Sequence, residues 1–296
     1  MRLARPKSIA EMVRQTENFV TEESYRRGLA FVPEPSDVVV TPYAKCGTTW
    51  MQQIVPGLRT GGSMAFEEIT EVVPWLELAH NMGWDLNAPQ VARPRAFKSH
   101  LRWDEIPKGA RYIVVMRDPC DAMLSLYRFL EGWHFEAGAI TISEFADYYL
   151  NRADSHNYWS HAASWWRQRA RPEVLLLSFE AMKRDLPGAV DRVADFIGVP
   201  ADPAVRAIAT QQAGFAFMKQ NGHKFDDHVL RVARDAACGL PQGGVATKVA
   251  SGKVGGGRPE INAPIRAKLD ARWQDTIAAE FGLPTYAGMA RLIDEA

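Results

Sequence analysis

Cysteine is scarce in this sequence: Cys46, Cys120 and Cys238 are all it holds in 296 residues, an odd number with no C-x-x-C pair. That argues against a disulfide framework or a cysteine-built zinc site and fits a reducing cytoplasm. Charge of one sign is not in excess either, since Lys plus Arg and Asp plus Glu both number 35. No net field therefore draws the chain to nucleic acid or to an anionic membrane, and any anion has to be caught by a local cluster. No run of about 18 apolar residues occurs. The basic opening MRLARPKSIAEMVRQ contains Glu11 and no apolar stretch of signal-peptide length, so the expectation is a cytoplasmic protein that is not membrane-inserted. Internal repeats, low-complexity blocks and dividing linkers are also missing. What is present is 47% apolar residues against 24% charged, the balance of a globular protein with a substantial core. We read residues 1–296 as a single domain.

Short apolar runs of strand length fall at 37–43 (DVVVTPY), 95–100 (RAFKSH), 111–117 (RYIVVMR) and 173–179 (EVLLLSF). Longer segments at 46–58, 119–131, 143–151, 155–170, 187–197 and 264–281 have helical apolar spacing or helix-start signals such as Asp118-Pro119. The alternation predicts an α/β fold, a central parallel sheet with helices on both faces. Residues 219–262, which include GLPQGGVATKVASGKVGGGRPE, are the least regular part. They read as a long loop expected to cover the active site.

Three short clusters carry the chemistry. In TPYAKCGTTW (41–50) a strand leads through Lys45, Cys46, Gly47, Thr48 and Thr49 into a helix, whose first N–H groups have no intrahelical acceptor and can bind an anion. Gly47 admits a close oxyanion, the threonines add hydroxyls and Lys45 adds full charge. The plainer reading of the same segment is a helix cap. The Walker spacing G-x-x-x-x-G-K-[ST] is missing, and Gly252-Lys253 is followed by Val254 with no strand before it. Cys46 at a helix N-terminus suggests a phosphatase thiolate, but a C-x-x-x-x-x-R loop needs arginine where Gln52 stands. Cys46 is better read as filling a serine-like place.

The second cluster is VVMRDPCDAMLSLYRF. Here Arg117 closes a strand and Ser125 lies two turns into the following helix, a basic and a hydroxyl residue suited to a second anion. Its plainer reading is Arg117 paired with Asp118 or Asp121 and Ser125 merely small against the sheet. The third is RAFKSHLRWDEIP. Lys98 and His100, two apart at a strand end, point to one side. Such a histidine can accept a proton from an alcohol while the lysine steadies negative charge, although a lone histidine is more often a surface or core residue.

In order along the chain, Y-x-K-C-G-T-T-W, K-S-H-L and R-D-P-x-D-A-x-x-S resemble the cytosolic-type sulfotransferases, which use 3′-phosphoadenosine 5′-phosphosulfate. That family's segments read Y-P-K-S-G-T-T-W, K-T-H-L-P and R-N-P-x-D-x-x-x-S. WWRQRARPEVLLLSFEAMKRD and GFAFMKQN extend the likeness over most of the chain. The resemblance implies a P-loop-like domain in which Lys45, Cys46, Gly47, Thr48 and Thr49 hold the 5′-phosphosulfate. Trp50 and Phe215 would flank adenine, and Arg117 and Ser125 would take the 3′-phosphate. His100 would be the general base, Lys98 would balance charge on the transferring group, and no metal would be needed.

Some positions depart from the pattern. Phe179 and Ala213 stand where tyrosine and threonine often meet adenine. The C-terminal R-K-G-x-x-G-D-W box is reduced to ASGKVGGG, which leaves Gly252 and Lys253 as candidate ligands and Lys248 or Arg258 as possible substitutes for the basic pair. The family's dimerisation pattern is not recognisable, so oligomeric state stays open. A small, apolar hydroxyl compound is the expected acceptor, in a cleft built from Trp75, His80, Met82 and Trp84 and from Phe129, Trp133, His134 and Phe135. Two other functions remain in view. One is a P-loop kinase or nucleotide hydrolase, which the missing Walker spacing disfavours. The other is a non-catalytic nucleotide- or lipid-binding protein on the same scaffold.

Overall fold

The computed structural model describes residues 3–153, 157–200, 202–245, 247–249 and 261–296. Four strands form one parallel sheet: β1 Val38–Val40, β2 Ala96–Lys98, β3 Arg111–Met116 and β4 Val174–Ser178, in the order β2-β1-β3-β4. Val39 lies opposite Phe97 on one side and Tyr112 on the other. The strands are shorter than the apolar runs suggest. β1 ends at Val40 because the next residues turn toward the site, while Thr41 still donates its N–H to the Ile113 carbonyl at 2.9 Å.

The near-continuous apolar strand sequences have a physical reason: both faces of the sheet are covered. Alternation sends Val39, Phe97, Tyr112, Val114 and Met116 to one face and Val38, Val40, Ala96, Ile113 and Val115 to the other. The first face is packed by aromatic-rich helices, Ile142–Leu150 and Tyr158–Trp166, whose Phe145, Tyr149, Trp159 and Trp165 are fully buried. The second is packed by helices Thr48–Thr60 and Leu186–Ile197 through Met51, Ile54, Val190 and Val193. This is the α/β architecture expected, with helices on both faces.

Helix starts follow their capping residues. The Asp118 carboxylate accepts the N–H groups of Cys120 and Asp121 and sets the start of helix Pro119–Trp133. Thr141 and Glu144 form a capping box at Ile142. The expected helix 264–281 is Ala263–Trp273 followed by a wider π-type turn, Gln274–Ala278, and a last turn, Ala279–Phe281.

The expected loop at 219–262 needs correction, because its first part is ordered into the 3-10 turn Gly222–Phe225 and the helix His228–Arg234. Phe225 and Leu230 are fully buried, and Arg234 donates to the carbonyls of Phe19 and Asn18 at 3.0 and 2.5 Å. Tertiary burial outweighs the polar local sequence there. Gly252 and Lys253 lie outside the described residues. Helices Ile9–Thr16, Glu22–Leu29, Pro203–Ala213 and Tyr286–Asp294 also have no counterpart among the expected elements. No helix among the described residues is long and apolar enough to cross a membrane.

Candidate active site

The site lies where β1, β2 and β3 end, the place at which open parallel sheets bind ligands. After β1 the backbone takes left-handed conformations at Lys45 (φ 66°) and Gly47 (φ 103°). For a lysine that conformation costs on the order of 1 kcal/mol, so the turn is held by its surroundings. Gly47 is the N-cap of helix Thr48–Thr60 and supplies no side-chain capping bond. The Thr48 hydroxyl is buried and has no hydrogen-bond partner among the described residues. Unanswered donors at a helix start, gathered around a left-handed turn, are what an oxyanion requires.

Glycine is needed at position 47 for two reasons. A Cβ there would lie 3.2 Å from both Phe179 Cδ2 and Val115 Cγ1, and φ is positive. Gly47→Ala is therefore expected to destabilise the protein by about 1–2 kcal/mol and to weaken anion binding, as read by urea unfolding and calorimetry. An unchanged unfolding midpoint would mean that the turn relaxes without strain.

Cys46 sits within the turn but points to the core. It is fully buried, and burial pushes its thiol up to about 12. A thiol so placed is not a nucleophile.

Lys45 is half-buried with its ammonium 4.0 Å from the centre of the Phe129 ring. Burial, then the positive charges of Lys248, Arg117 and Lys98, bring it down to about 7, against which Asp227 acts. Lys98 ends β2, is 5% exposed, and stands 3.8 Å above the Trp75 ring. Burial and Lys248 lower it to about 8. Both ammonium groups rest on aromatic faces and are poorly solvated, so an arriving anion meets cations already stripped of much of their water.

His100 lies two residues beyond β2. Its Nδ1 is 2.7 Å from the Pro42 carbonyl oxygen, and a carbonyl can only accept, so Nδ1 carries the proton and Nε2 keeps its lone pair. Glu77 fixes the backbone, accepting the His100 N–H at 2.9 Å. The ring meets Trp75 edge to face at 5.3 Å and 86°. Burial, reinforced by Lys98, holds the imidazole well below 6.5. It is neutral at neutral pH and has the form of a general base.

Arg117 leaves β3 and donates through Nη1 to the Lys45 carbonyl at 2.9 Å. Its guanidinium lies 4.2 Å from the Phe179 ring centre, and its buried Nε has no partner among the described residues. Tyr158 donates its hydroxyl to the Arg117 carbonyl at 2.6 Å. Trp50 donates Nε1–H to the Ala213 carbonyl at 2.8 Å and meets Phe179 at 5.3 Å. Phe215, 38% exposed, lines the same cleft.

One cleft of about 650 Å³ collects Lys45, Gly47, Thr48, Thr49, Trp50, Lys98, His100, Arg117, Ser125 and Phe215 on its walls. Of the expected site residues within the described part, Cys46 alone is off it. The expected acceptor wall divides. Trp75, Phe129, Trp133 and His134 line the cleft, but His80, Met82 and Trp84 do not, and Phe135 lies in the core. His80 to Met82 belong to the 3-10 turn Ala79–Met82. Sequence reasoning missed Met12, Phe19 and Tyr25, which the N-terminal segment brings to the cleft, and also Glu77 and Asp227. Among the described residues no group of His, Cys, Asp and Glu is arranged to hold a metal.

The chain matches the family described as "Sulfotransferase domain" over residues 35–278. It is 26% identical to Sulfotransferase 1C2 of Homo sapiens over 213 residues, 68% of this chain and 72% of that protein. With Sulfotransferase 2A1 of Homo sapiens it shares 27% identity over 200 residues, 64% and 69% of the two chains. Its fold is similar to that of a mouse sulfotransferase complexed with PAP, at TM-score 0.68 and 17% identity, covering 94% of each chain. A retinol dehydratase in complex with androsterone and inactive cofactor PAP gives 0.67 and 18%, covering 90% of this chain and 95% of that one.

Proposed function

The chain belongs to the sulfotransferase domain family, a premise from which we propose that it moves a sulfuryl group from 3′-phosphoadenosine 5′-phosphosulfate to the hydroxyl of a small apolar acceptor. The observation that carries this reading is the convergence on one cleft of the Lys45–Thr49 turn and a histidine whose Nδ1 donates to the Pro42 carbonyl, which leaves the ring's lone pair on Nε2. Their roles follow from the reaction. The acceptor oxygen attacks sulfur, the bond from sulfur to the 5′-phosphate oxygen breaks in line, and His100 Nε2 takes the acceptor's proton. Lys45 meets charge growing on the departing oxygen, and Lys98 steadies the transferring group.

The anion holders fit the nucleotide on this structure's own terms. The Thr48 hydroxyl and the Gly47 cap offer donors to the 5′ end, and the Arg117 Nε, with Ser125 nearby, offers one to the 3′ end. Trp50, Phe179 and Phe215 would flank adenine. Side-chain cations and helix N–H groups supply the positive charge, so the scheme calls on no metal. An apolar acceptor suits the Phe19, Trp75, Phe129 and Trp133 wall, as androsterone suits the retinol dehydratase that holds it.

Titration calorimetry with adenosine 3′,5′-bisphosphate and with ADP, each with and without magnesium, tests the reading. The bisphosphate is expected to bind at least about tenfold tighter, because only it offers an anion at each end, and magnesium is expected to make no difference. Equal binding of the two nucleotides would favour a kinase or hydrolase and count against a sulfuryl carrier.

A further inference from the structure

We propose that Lys248 is a third ammonium for the 5′ anion of the nucleotide, held until that anion arrives by the carboxylate of Asp227. The inference deepens the phosphosulfate reading and rests on it. Lys248 and Asp227 lie on the wall of the same cleft as Lys45, Lys98 and His100. They form an ion pair with side chains only 7% and 5% exposed. Asp227 sits at the N-cap of helix His228–Arg234 in a left-handed conformation (φ 57°), yet its carboxylate makes no capping bond. The side chain is turned away from the local role its position offers and toward the lysine.

Three ammonium groups thus act on the buried Asp227 carboxylate, which Lys248 alone among them touches, while Glu68 and Glu77 also act on Lys98, in a cleft suited to an anion. Burial alone would raise the Asp227 carboxyl, but Lys248, then Lys98 and Lys45, hold it below its ordinary value. Lys248 is also the strongest neighbouring charge acting on both Lys45 and Lys98, which places its ammonium with theirs. The carboxylate therefore acts as an internal counter-ion that an incoming phosphate or sulfonate displaces. In the rival arrangement the pair is a strut, pinning residues 247–249 to the body much as Val249 does by packing near Met218 and Phe225.

The two arrangements predict different signs. Lys248→Met keeps the apolar stem and removes the charge. Asp227→Asn keeps the shape and tolerates left-handed backbone, and it removes the competitor. Measured by calorimetry with adenosine 3′,5′-bisphosphate, Lys248→Met is expected to weaken binding at least about tenfold. Lys248→Arg is expected to restore it to within about threefold, and Asp227→Asn to tighten it about threefold or more. Lys248→Met leaves a buried carboxylate unpaired and can fail to fold. The double variant Asp227→Asn with Lys248→Met removes both charges together, and it is expected to bind at least about tenfold more weakly than Asp227→Asn alone. A loss in both single variants, or an unchanged affinity in either, overturns the proposal and leaves the strut. The wild-type titration separates the two levels: no bisphosphate binding there overturns the phosphosulfate reading and this inference with it.

Discussion

Replacing His100 with alanine is expected to lower turnover by about 100- to 10,000-fold, the range a positioned general base contributes, while bisphosphate affinity stays within about threefold. The split follows from geometry. The Pro42 carbonyl at 2.7 Å fixes the proton on Nδ1, and Nε2 is left for the acceptor, not the nucleotide. Because burial holds the imidazole well below 6.5, protonation removes the base only at lower pH. The acid limb of kcat/KM, which reports the base in the unliganded enzyme, is therefore expected below pH 6.5. Near-normal turnover in His100→Ala, or a limb centred at or above 6.5 that the substitution leaves unchanged, would remove His100 from the mechanism.

Lys45→Ala is expected to reduce kcat/KM by about a thousandfold and, unlike the histidine change, to weaken bisphosphate binding about tenfold as well. A lysine that serves both the resting anion and its developing charge must show up in both quantities. Position 45 already holds a non-glycine residue at φ 66°, so alanine adds no new backbone strain and the loss reads on the ammonium. Burial and the neighbouring cations bring this lysine down to about 7. The ammonium is present below that pH and lost above it, so bisphosphate affinity is expected to fall by about tenfold in all, the loss expected of Lys45→Ala, as pH rises past 7. Calorimetry in buffers of different ionisation enthalpy would detect the matching proton uptake on binding. Lys45→Ala should abolish that uptake; an uptake that survives the substitution assigns it to another group.

The parts legible in the sequence are those whose signal is local. The four strands are runs buried on both faces, and the turn at 45–49, which the structure places on the cleft, stands out by residue type within five positions. The same holds for Arg117 and His100, which stand at or just past strand ends. The contribution of the first 30 residues was not legible. Met12 and Tyr25 belong to short, polar helices and Phe19 to the turn between them, and they matter because of what they face across the cleft. Helix His228–Arg234 was read as loop for a related reason. Its place is set by bonds from Arg234 to carbonyls more than two hundred positions earlier, at Asn18 and Phe19, and no neighbouring residue encodes them. The acceptor wall failed in the opposite way: aromatic content was visible, but sequence proximity could not separate Trp133 in the cleft from Phe135 in the core.

The bond from Arg117 to the carbonyl of Lys45 joins the end of β3 to the turn that follows β1. On the proposed reading, a donor molecule stripped of its ribose phosphate would lose more than a contact there, because the guanidinium assigned to that phosphate also holds the Lys45 carbonyl of the turn assigned to the leaving group. Recognition at one end would in this way be felt as alignment at the other.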